Sequence, residues 1–280
     1  MQRAIALFQC PDQTGLIARI TALVAKLGGN IIAADQHTTA AQAGLFFMRL
    51  EFTFDPGRSP RPELESAFGR LAKEIGAQWQ LHLAGVPGRA GILVSRQTHC
   101  LADVLHRVRE GLLCMDIAWV AGNHEQARSL AGHYGVPFHL LPAEGKALQE
   151  AAILDLAKGT DFLVLARFMQ ILSAPFLKAY GRDIINIHHS FLPGFKGAKP
   201  YQQAWDRGVK VIGATAHFVT EDLDEGPIIE QRVQRVSHRD TPEDLKRKGR
   251  DLEQQALAEA LLAYTEHRVF RHGVRTVVFD

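Results

Sequence analysis

From about residue 88 onward, short apolar segments alternate with amphipathic segments, and this alternation constrains the fold more than any other feature. Apolar runs such as "DFLVLA" (161–166) and "DIINIHH" (183–189) are separated by helical patterns such as "HCLADVLHRVREG" (99–111). Strands that alternate with helices favour right-handed crossovers and a mostly parallel sheet covered on both faces. This part of the chain therefore predicts an α/β domain.

The first 84 residues follow a different pattern. A strand at "RAIALFQ", an amphipathic helix, a hairpin of "NIIAADQHTT" and "LFFMRLEFTF", a second helix and a strand around "WQLHLA" give the order βαββαβ. This order is that of a ferredoxin-like α/β unit. The stretch "GVPGRAG" (85–91) is rich in proline and glycine and predicts a linker. We therefore expect two domains, 1–84 and 85–280.

Composition indicates which kinds of binding partner and which cellular compartment to expect. The formal net charge of +2 provides no electrostatic reason to expect nucleic acid, so small ligands are favoured. The N-terminal apolar run is far shorter than the roughly 20 residues that a membrane-spanning helix needs, so no membrane association is expected. Cys10, Cys100 and Cys114 form no CxxC pair and favour a reducing compartment. We expect a cytoplasmic protein.

Polar side chains end the apolar strand "DIINIHH". Asn186 and His188 are two residues apart and share one face of the strand, while His189 points to the other. Ligands bind beyond the carboxyl ends of the strands in open parallel sheets. Asp224 follows the strand "KVIGATAHFV", and a neighbouring strand's exit would bring its carboxylate to the same rim. We expect these three side chains to converge.

Such a trio suits attack on a carbonyl group. The Asn186 amide can donate a hydrogen bond to a developing oxyanion, and His188 can transfer protons near neutral pH. Asp224 can orient and stabilise His188 or take a proton from an attacking water. The alternative is structural, because Asn and His at a strand end often only satisfy loop backbone groups. The pattern by itself indicates a candidate site.

The segment "NIHHSFLPGFKGAKPYQQAWDRGVKVIGATAHFVTEDLDEGPIIEQ" (186–231) resembles the signature of the folate-dependent, Rossmann-like formyltransferase fold. The N-terminal order and "PDQTGLIARIT" resemble an ACT regulatory domain, and the whole chain resembles the formyltetrahydrofolate deformylase family. This resemblance implies hydrolysis of 10-formyltetrahydrofolate, the substrate, to tetrahydrofolate and formate, with no cofactor, balancing one-carbon pools for purine synthesis. The family's catalytic residues fall on Asn186, His188 and Asp224.

The resemblance also implies a folate pocket. Its pterin wall corresponds to "ARFMQIL" (166–172), and its closing loop corresponds to "TEDLDEGP" (220–227). The implied substrate-binding residues are Arg167, Phe168, Met169, Gln170, Leu172, Asp222 and Gly226. The alternative is that Phe168, Met169 and Leu172 are simply core residues.

Resemblance to ACT domains implies an effector site in the first domain. The implied effector-binding residues are Asp12, Gly15, Leu16 and Asn30, with an amino acid as the effector class. The alternative is that Asp12 and Gly15 only shape a turn. A homo-oligomer, either a dimer or a tetramer, is also expected.

Three alternatives to hydrolysis remain open. Formyl transfer to glycinamide ribonucleotide is disfavoured because the turn "SRQTHCL" (95–101) contains no glycine for close backbone approach to a phosphate, although Arg96 can still bind an anion. Transfer to aminoacyl-tRNA lacks a basic domain. A non-catalytic folate-binding or effector-sensing protein is the third. Metal dependence is not expected, since adjacent histidines on a strand face opposite ways.

Overall fold

The computed structural model describes residues 1–40, 43–194 and 200–280. The chain forms two compact units. The first contains Met1–Val86 with Glu266–Phe270 and Val277–Asp280, and the second contains Pro87–Thr265 with Arg271–Thr276. The sequence pattern did not indicate that residues from the C-terminal end join the first unit.

The first unit contains a four-stranded antiparallel sheet and two helices. Its elements are β1 (Gln2–Pro11), α1 (Leu16–Lys26), β2 (Asn30–Thr38), β3 (Leu45–Phe54), α2 (Arg61–Ile75) and β4 (Gln78–Leu83). The strand order is β2-β3-β1-β4, with antiparallel pairing throughout. The core contains Phe8, Phe52 and Phe68. The centre of the Phe68 ring lies 5.7 Å from that of Phe8 and 5.7 Å from that of Phe52. The βαββαβ prediction is confirmed.

The second unit alternates strands with helices. In chain order its elements are β5 (Gly88–Val94), α3 (His99–Arg109), β6 (Met115–Gly122), a short 3-10 helix (Glu125–Ala127) leading into α4 (Arg128–His133), β7 (Phe138–Leu140), α5 (Lys146–Leu156), β8 (Phe162–Ala166), α6 (Ala174–Tyr180), β9 (Asp183–His188), α7 (Pro200–Asp206), β10 (Val211–Phe218), β11 (Ile228–Arg235) and α8 (Pro242–Thr265). A C-terminal hairpin follows, formed by β12 (Val269–His272) and β13 (Arg275–Val278).

The sheet of the second unit has seven strands in the order β11-β10-β9-β8-β5-β6-β7. The five strands from β9 to β7 pair in parallel, whereas β10 and β11 are antiparallel. The prediction of an α/β fold with a mostly parallel sheet is confirmed. The carboxyl ends of β5, β8 and β9 meet at one edge, where the register pairs Val94 with Ala166 and Leu165 with Asn186.

The predicted linker at 85–91 differs from the structure, because β5 already begins at Gly88. The glycines there serve side-chain packing across the sheet. A Cβ atom at Gly91 would lie 2.2 Å from the ring of Trp119, and one at Gly88 would lie 3.3 Å from the ring of Phe162. Bulky neighbours thus require glycine at positions that the sequence pattern favoured as a loop.

The last long helix, α8, begins with a capping box. The Thr241 hydroxyl accepts a hydrogen bond from the Asp244 amide at 3.2 Å, and the Asp244 carboxylate accepts one from the Thr241 amide at 3.0 Å. This helix packs on β9, β10 and β11. Within the described ranges, no helix combines the length and the apolar character needed to cross a bilayer.

Candidate active site

The polar end of β9 lies at the carboxyl edge of the parallel strands. The antiparallel register places Asn186 opposite His217 and His188 opposite Thr215. Directly opposed residues share one face of a sheet, so these four side chains project to the same side. His188 is only 6% exposed, whereas Asn186 is half-buried. The strand therefore carries two polar groups into a largely desolvated position.

Buried hydrogen bonds fix the turn that follows His188. The Thr215 hydroxyl donates to the Ser190 carbonyl at 2.8 Å and accepts from the Leu192 amide at 3.1 Å. The Gln231 side-chain amide donates to the Thr215 hydroxyl and to the Leu192 carbonyl, both at 3.0 Å. The backbone groups of a buried turn are satisfied in this way, so β9 ends at one defined position.

Asp224 reaches His188 by a different route from the one predicted. Strand β10 is antiparallel to β9, so it ends beside Ile185 and does not share the exit of β9. The loop from 219 to 227 then turns back, and Oδ1 of Asp224 lies 3.2 Å from Nδ1 of His188. Asp224 has a positive φ of 56°, a conformation uncommon for residues other than glycine. The expected convergence is present, although the strand direction assumed for it was wrong.

His217 is a site residue that the sequence reasoning missed. Its Nε2 lies 3.2 Å from Nδ2 of Asn186, and its Nδ1 lies 2.9 Å from the carbonyl oxygen of Phe218. A carbonyl oxygen only accepts, so Nδ1 carries the proton and Nε2 accepts from the Asn186 amide. The signal in the sequence was a histidine at the end of a strand that pairs with β9.

Electrostatics keep Asp224 charged and His217 neutral. Burial raises the pKa of Asp224, but the hydrogen bond and the charge of His188 lower it by more, so the pKa lies below the ordinary value. Burial lowers the pKa of His217 despite the hydrogen bond to Phe218 and the charge of Asp224. The pair of Asp224 and His188 therefore consists of an ionised carboxylate and an imidazole whose positive charge it can stabilise.

The second nitrogen of His188 is available for chemistry. With Nδ1 donating to Asp224, Nε2 is the free position of the ring. It is buried and has no hydrogen-bond partner within the described part of the chain. An oriented imidazole with an unsatisfied Nε2, next to an amide donor on Asn186, is an arrangement that suits general acid–base attack on a carbonyl group.

The predicted pterin wall is a non-helical loop after β8. Phe168 and Leu172 are buried in the core of the second unit, at 1% and 8% exposure, as the structural alternative expected. Met169 and Gln170 are exposed, and Met169 has a positive φ of 60°. Of these four predicted residues, Phe168 and Leu172 therefore anchor the loop in the core, whereas the side chains of Met169 and Gln170 face outward.

Arg167 points into the protein, where it belongs to a polar network. Its guanidinium donates to Oε1 of Gln97 at 2.8 Å and lies 3.3 Å from Oε2 of Glu253. The Glu253 carboxylate is also 2.7 Å from Nε2 of His99 and accepts from the Tyr201 hydroxyl at 2.7 Å. These five residues are named the Glu253 network.

Two members of the Glu253 network, together with the neighbouring Cys100, carry atoms of the kind that bind metals. Potential ligand atoms of His99, Cys100 and Glu253 all lie within 4.8 Å of one another. The Arg167 guanidinium, however, lies 3.3 Å from the same Glu253 oxygen that His99 contacts. A fixed cation at that distance repels a metal ion, so this cluster fits an internal ion pair better than a metal centre.

The remaining two predicted substrate-binding residues lie in the loop from 219 to 227, which also carries Asp224. Asp222 is exposed, and its carbonyl accepts from the Thr220 hydroxyl at 3.1 Å. Gly226 is buried, and a Cβ atom there would lie 1.7 Å from the carbonyl oxygen of Phe218. Gly226 thus lets the loop return closely along β10, which is how Asp224 comes within reach of His188.

The predicted effector corner lies in the first unit. Asp12 and Asn30 are exposed, while Leu16 is only 2% exposed and packs in the core. Gly15 has a positive φ of 87° and precedes α1, so its conformation explains the choice of glycine. The Asp12 amide donates to the Gly44 carbonyl at 2.9 Å.

An apolar cavity of about 470 Å³ lies beside the end of β9. Its walls include His189, Phe191, Tyr201, Ile212 and Val233. Among the described residues that line it, none is a predicted substrate-binding residue. Burial, then the charge of Arg167, lowers the pKa of His189 to about 3, so the ring at this wall is neutral.

Two family descriptions match the chain. The formyl transferase family matches residues 89–261, and the ACT domain family matches residues 4–72. A formyltetrahydrofolate deformylase from Synechocystis is 49% identical over 280 residues, which is 99% of this chain and 98% of that protein. These matches include both structural units.

Solved structures of deformylases and transformylases are also similar to this chain. A formyltetrahydrofolate deformylase from Pseudomonas syringae pv. tomato has a TM-score of 0.94 and 42% identity, covering all of this chain and 95% of that one. Glycinamide ribonucleotide transformylase 1 from Symbiobacterium toebii has a TM-score of 0.67 and 35% identity, covering 72% of this chain and 98% of that one. The first similarity extends over the whole chain, whereas the second covers only part of it.

Proposed function

Because the chain belongs to the formyltetrahydrofolate deformylase family, we propose that it hydrolyses 10-formyltetrahydrofolate to tetrahydrofolate and formate. The observation that carries the chemistry is the His188–Asp224 pair beside Asn186, at the carboxyl edge of the parallel strands. Such an arrangement activates water and stabilises an oxyanion. The formate released balances one-carbon pools for purine synthesis.

In the proposed mechanism, a side chain of the protein accepts the proton from water and later donates a proton to the leaving group. Nε2 of His188 takes a proton from water as the water oxygen bonds to the formyl carbon, and Asp224 stabilises the resulting imidazolium. Nδ2 of Asn186, already oriented by His217, donates to the oxyanion. The imidazolium then protonates N10 as the carbon–nitrogen bond breaks, so tetrahydrofolate and formic acid leave, and the acid releases its proton to solvent to give formate.

In this proposal, the role of each substrate-binding residue is assigned from whether its side chain is exposed or buried. Met169 and Gln170 are exposed and form the wall against the pterin, while Phe168 and Leu172 support that wall from the core. Asp222 and Gly226 shape the loop that closes over the ligand, and Arg167 holds the start of the wall from inside. Apolar walls with a few polar groups are what flat heterocycles require.

Formyl transfer to glycinamide ribonucleotide is the competing function. Its support is Arg96, which is exposed on the turn after β5 and donates to His124 at 3.2 Å. Against it, the turn at 95–101 contains no glycine, and the transformylase structure covers a smaller share of the chain than the deformylase does. Water is therefore the acceptor that we propose.

The test is to mix purified protein with 10-formyltetrahydrofolate and to follow formate, with and without glycinamide ribonucleotide. Hydrolysis predicts formate in both reactions at equal rates. A formylated ribonucleotide would identify a transferase, and absence of turnover with retained folate binding would identify a non-catalytic binding protein.

We propose that the first unit binds an amino acid near Asp12, Gly15 and Asn30, with Leu16 supporting the site from the core. The ACT domain match and the exposure of Asp12 and Asn30 support this role. We also propose a homo-oligomer, a dimer or a tetramer, because β2 is an edge strand on which Ile32 is 49% exposed.

We propose a cytoplasmic location and no requirement for a metal or another cofactor. The cysteines Cys10, Cys100 and Cys114 are all free, as a reducing compartment favours. The His188–Asp224 pair supplies proton transfer from the chain itself, and Arg167 opposes a cation at the Glu253 carboxylate. Activity retained after dialysis against a chelator is the expected result.

A further inference from the structure

Glu253 is a buried carboxylate that the proposed mechanism does not use. It lies within α8 at 1% exposure, and it contacts His99, Tyr201 and Arg167. Burial raises its pKa, but the hydrogen bond from His99 and the charge of Arg167 lower it by more, so the carboxylate is ionised. An ionised group inside a protein is costly unless it is paired, so its pairing demands an explanation.

Arg167 is the first residue after β8, at the edge of the sheet that carries the candidate active site. The parallel register pairs Leu165 of β8 with Asn186 of β9, and β8 ends at Ala166, so the chain leaves the sheet at Arg167 on the same edge as Asn186. Arg167 has a positive φ of 64°, which is unfavourable for a residue other than glycine unless its surroundings hold it. The segment that follows, 168–172, is the loop that we assign to the pterin wall.

Two side chains hold Arg167 in this conformation. Oε1 of Gln97 accepts from Nε at 3.1 Å and from one terminal nitrogen at 2.8 Å, while Oε2 of Glu253 lies 3.3 Å from Nε. Gln97 belongs to the turn after β5 and Glu253 belongs to α8. The start of the wall is therefore tied to two separate elements.

The packing of α8 is shaped to admit this arrangement. A Cβ atom at Gly249 would lie 2.1 Å from the ring of Tyr201, whose hydroxyl donates to Oε1 of Glu253. Glycine inside a helix costs roughly 0.5–1 kcal/mol relative to alanine. The helix thus carries a destabilising glycine about one turn before Glu253, and this glycine makes room for Tyr201, the third partner of the carboxylate.

We propose that Glu253 is a positioning residue for the hydrolysis, holding Arg167 and through it the 167–172 loop in the conformation that binds the folate. This inference rests on the proposed function. Without the carboxylate, Gln97 is the one partner that the buried guanidinium keeps among the described residues, and relaxation of Arg167 displaces Met169 and Gln170. The effect falls on substrate binding because neither His188 nor Asp224 is altered.

The experiment measures KM and kcat for Glu253→Gln, Arg167→Met and the double variant. For Glu253→Gln we expect KM for 10-formyltetrahydrofolate to rise on the order of 10-fold, with kcat within about threefold of wild type. The double variant is expected to be no worse than the more affected single variant, because both changes remove the same contact. Glu259→Gln, a half-exposed carboxylate on the same helix, is the matched control and should match wild type.

Gln97→Ala supplies an independent test if Glu253→Gln does not fold. It removes the other partner of Arg167 near the surface and should raise KM by about threefold while the thermal midpoint stays close to wild type. An unchanged KM in a folded Glu253→Gln, an unchanged KM in Gln97→Ala, or effects of Glu253→Gln and Arg167→Met that multiply in the double variant would overturn the inference. Wild-type protein without deformylase activity would instead refute the proposed function.

Discussion

Nδ1 of His188 lies 3.2 Å from Oδ1 of Asp224, so a strand end and a distant loop form one polar pair. The contact fixes the orientation of the imidazole and leaves Nε2 as the reactive position. It also explains why the loop tolerates a positive φ at Asp224, since the carboxylate must turn back toward β9 to reach the ring.

Asp224→Asn tests this pair. The substitution keeps the shape of the side chain but removes the charge that stabilises the His188 cation, so we expect kcat to fall by about 100- to 10,000-fold with little loss of fold. Formate release measures the effect. Glu221→Gln, an exposed carboxylate of the same loop, is the control and should retain full activity. A fall of less than about threefold in Asp224→Asn would contradict the assigned role.

His217→Phe tests the orientation of Asn186. Phenylalanine fills a similar volume but cannot accept from Nδ2 of Asn186, so the amide loses its fixed direction. We expect kcat to fall by about 10-fold, the equivalent of one modest hydrogen bond. His238→Phe, at an exposed position before α8, should leave kcat unchanged. A wild-type kcat in His217→Phe would show that Asn186 is oriented by other contacts.

The first unit contains a stacked pair of histidines that predicts a pH dependence of stability. The rings of His82 and His267 lie 3.7 Å apart at 13°. Burial, then Arg61, lowers the pKa of His82, and burial, then His82 and Arg49, lowers that of His267 to about 3. Between about pH 6.5 and pH 3 the unfolded chain binds more protons than the folded one, so stability is highest above that window and falls as the pH drops through it.

The variant His82→Phe measures how much the histidine pair contributes to the pH dependence of stability. The new ring keeps the packing and removes one titrating group, so the loss of stability between pH 7.5 and pH 5 should be smaller than in wild type. Urea midpoints for the first unit at the two pH values provide the comparison. His37→Gln, an exposed histidine on β2, should behave as wild type. An equal loss in His82→Phe and wild type would be inconsistent with buried neutral histidines.

Gly249→Ala tests the packing of α8 against Tyr201. The added Cβ would lie 2.1 Å from the ring, so Tyr201 must move and its hydrogen bond to Glu253 is lost. We expect a loss of about 1–3 kcal/mol in the free energy of unfolding. Gly132→Ala, in α4 with open space around it, should instead be neutral or stabilising by up to about 1 kcal/mol. Equal stabilities of the two variants would refute this packing.

Periodicity in the sequence predicted most of the fold. Alternating apolar and amphipathic segments identified the βαββαβ unit and the mostly parallel sheet, because burial of one face imposes the period of each element. Thr241 before Pro242 is likewise a local signal for the start of α8, because its capping role depends only on adjacent residues. Local chemistry was sufficient for these features.

Features that depend on partners distant in sequence were not predictable in this way. An apolar strand pattern is the same in either direction, so the antiparallel course of β10 was missed, and with it the pairing of His217 with Asn186. The inward course of Arg167 and its contact with Glu253 likewise arise from three elements that meet only in the folded chain. The C-terminal hairpin was missed because its strands have only four residues each.

The most direct test of water as the formyl acceptor is turnover of 10-formyltetrahydrofolate in ¹⁸O-labelled water, followed by mass analysis of the formate. Attack by water on the formyl carbon predicts at least one solvent-derived ¹⁸O in each formate formed, with no added acceptor. Formate without label, or turnover that requires glycinamide ribonucleotide, would contradict the account.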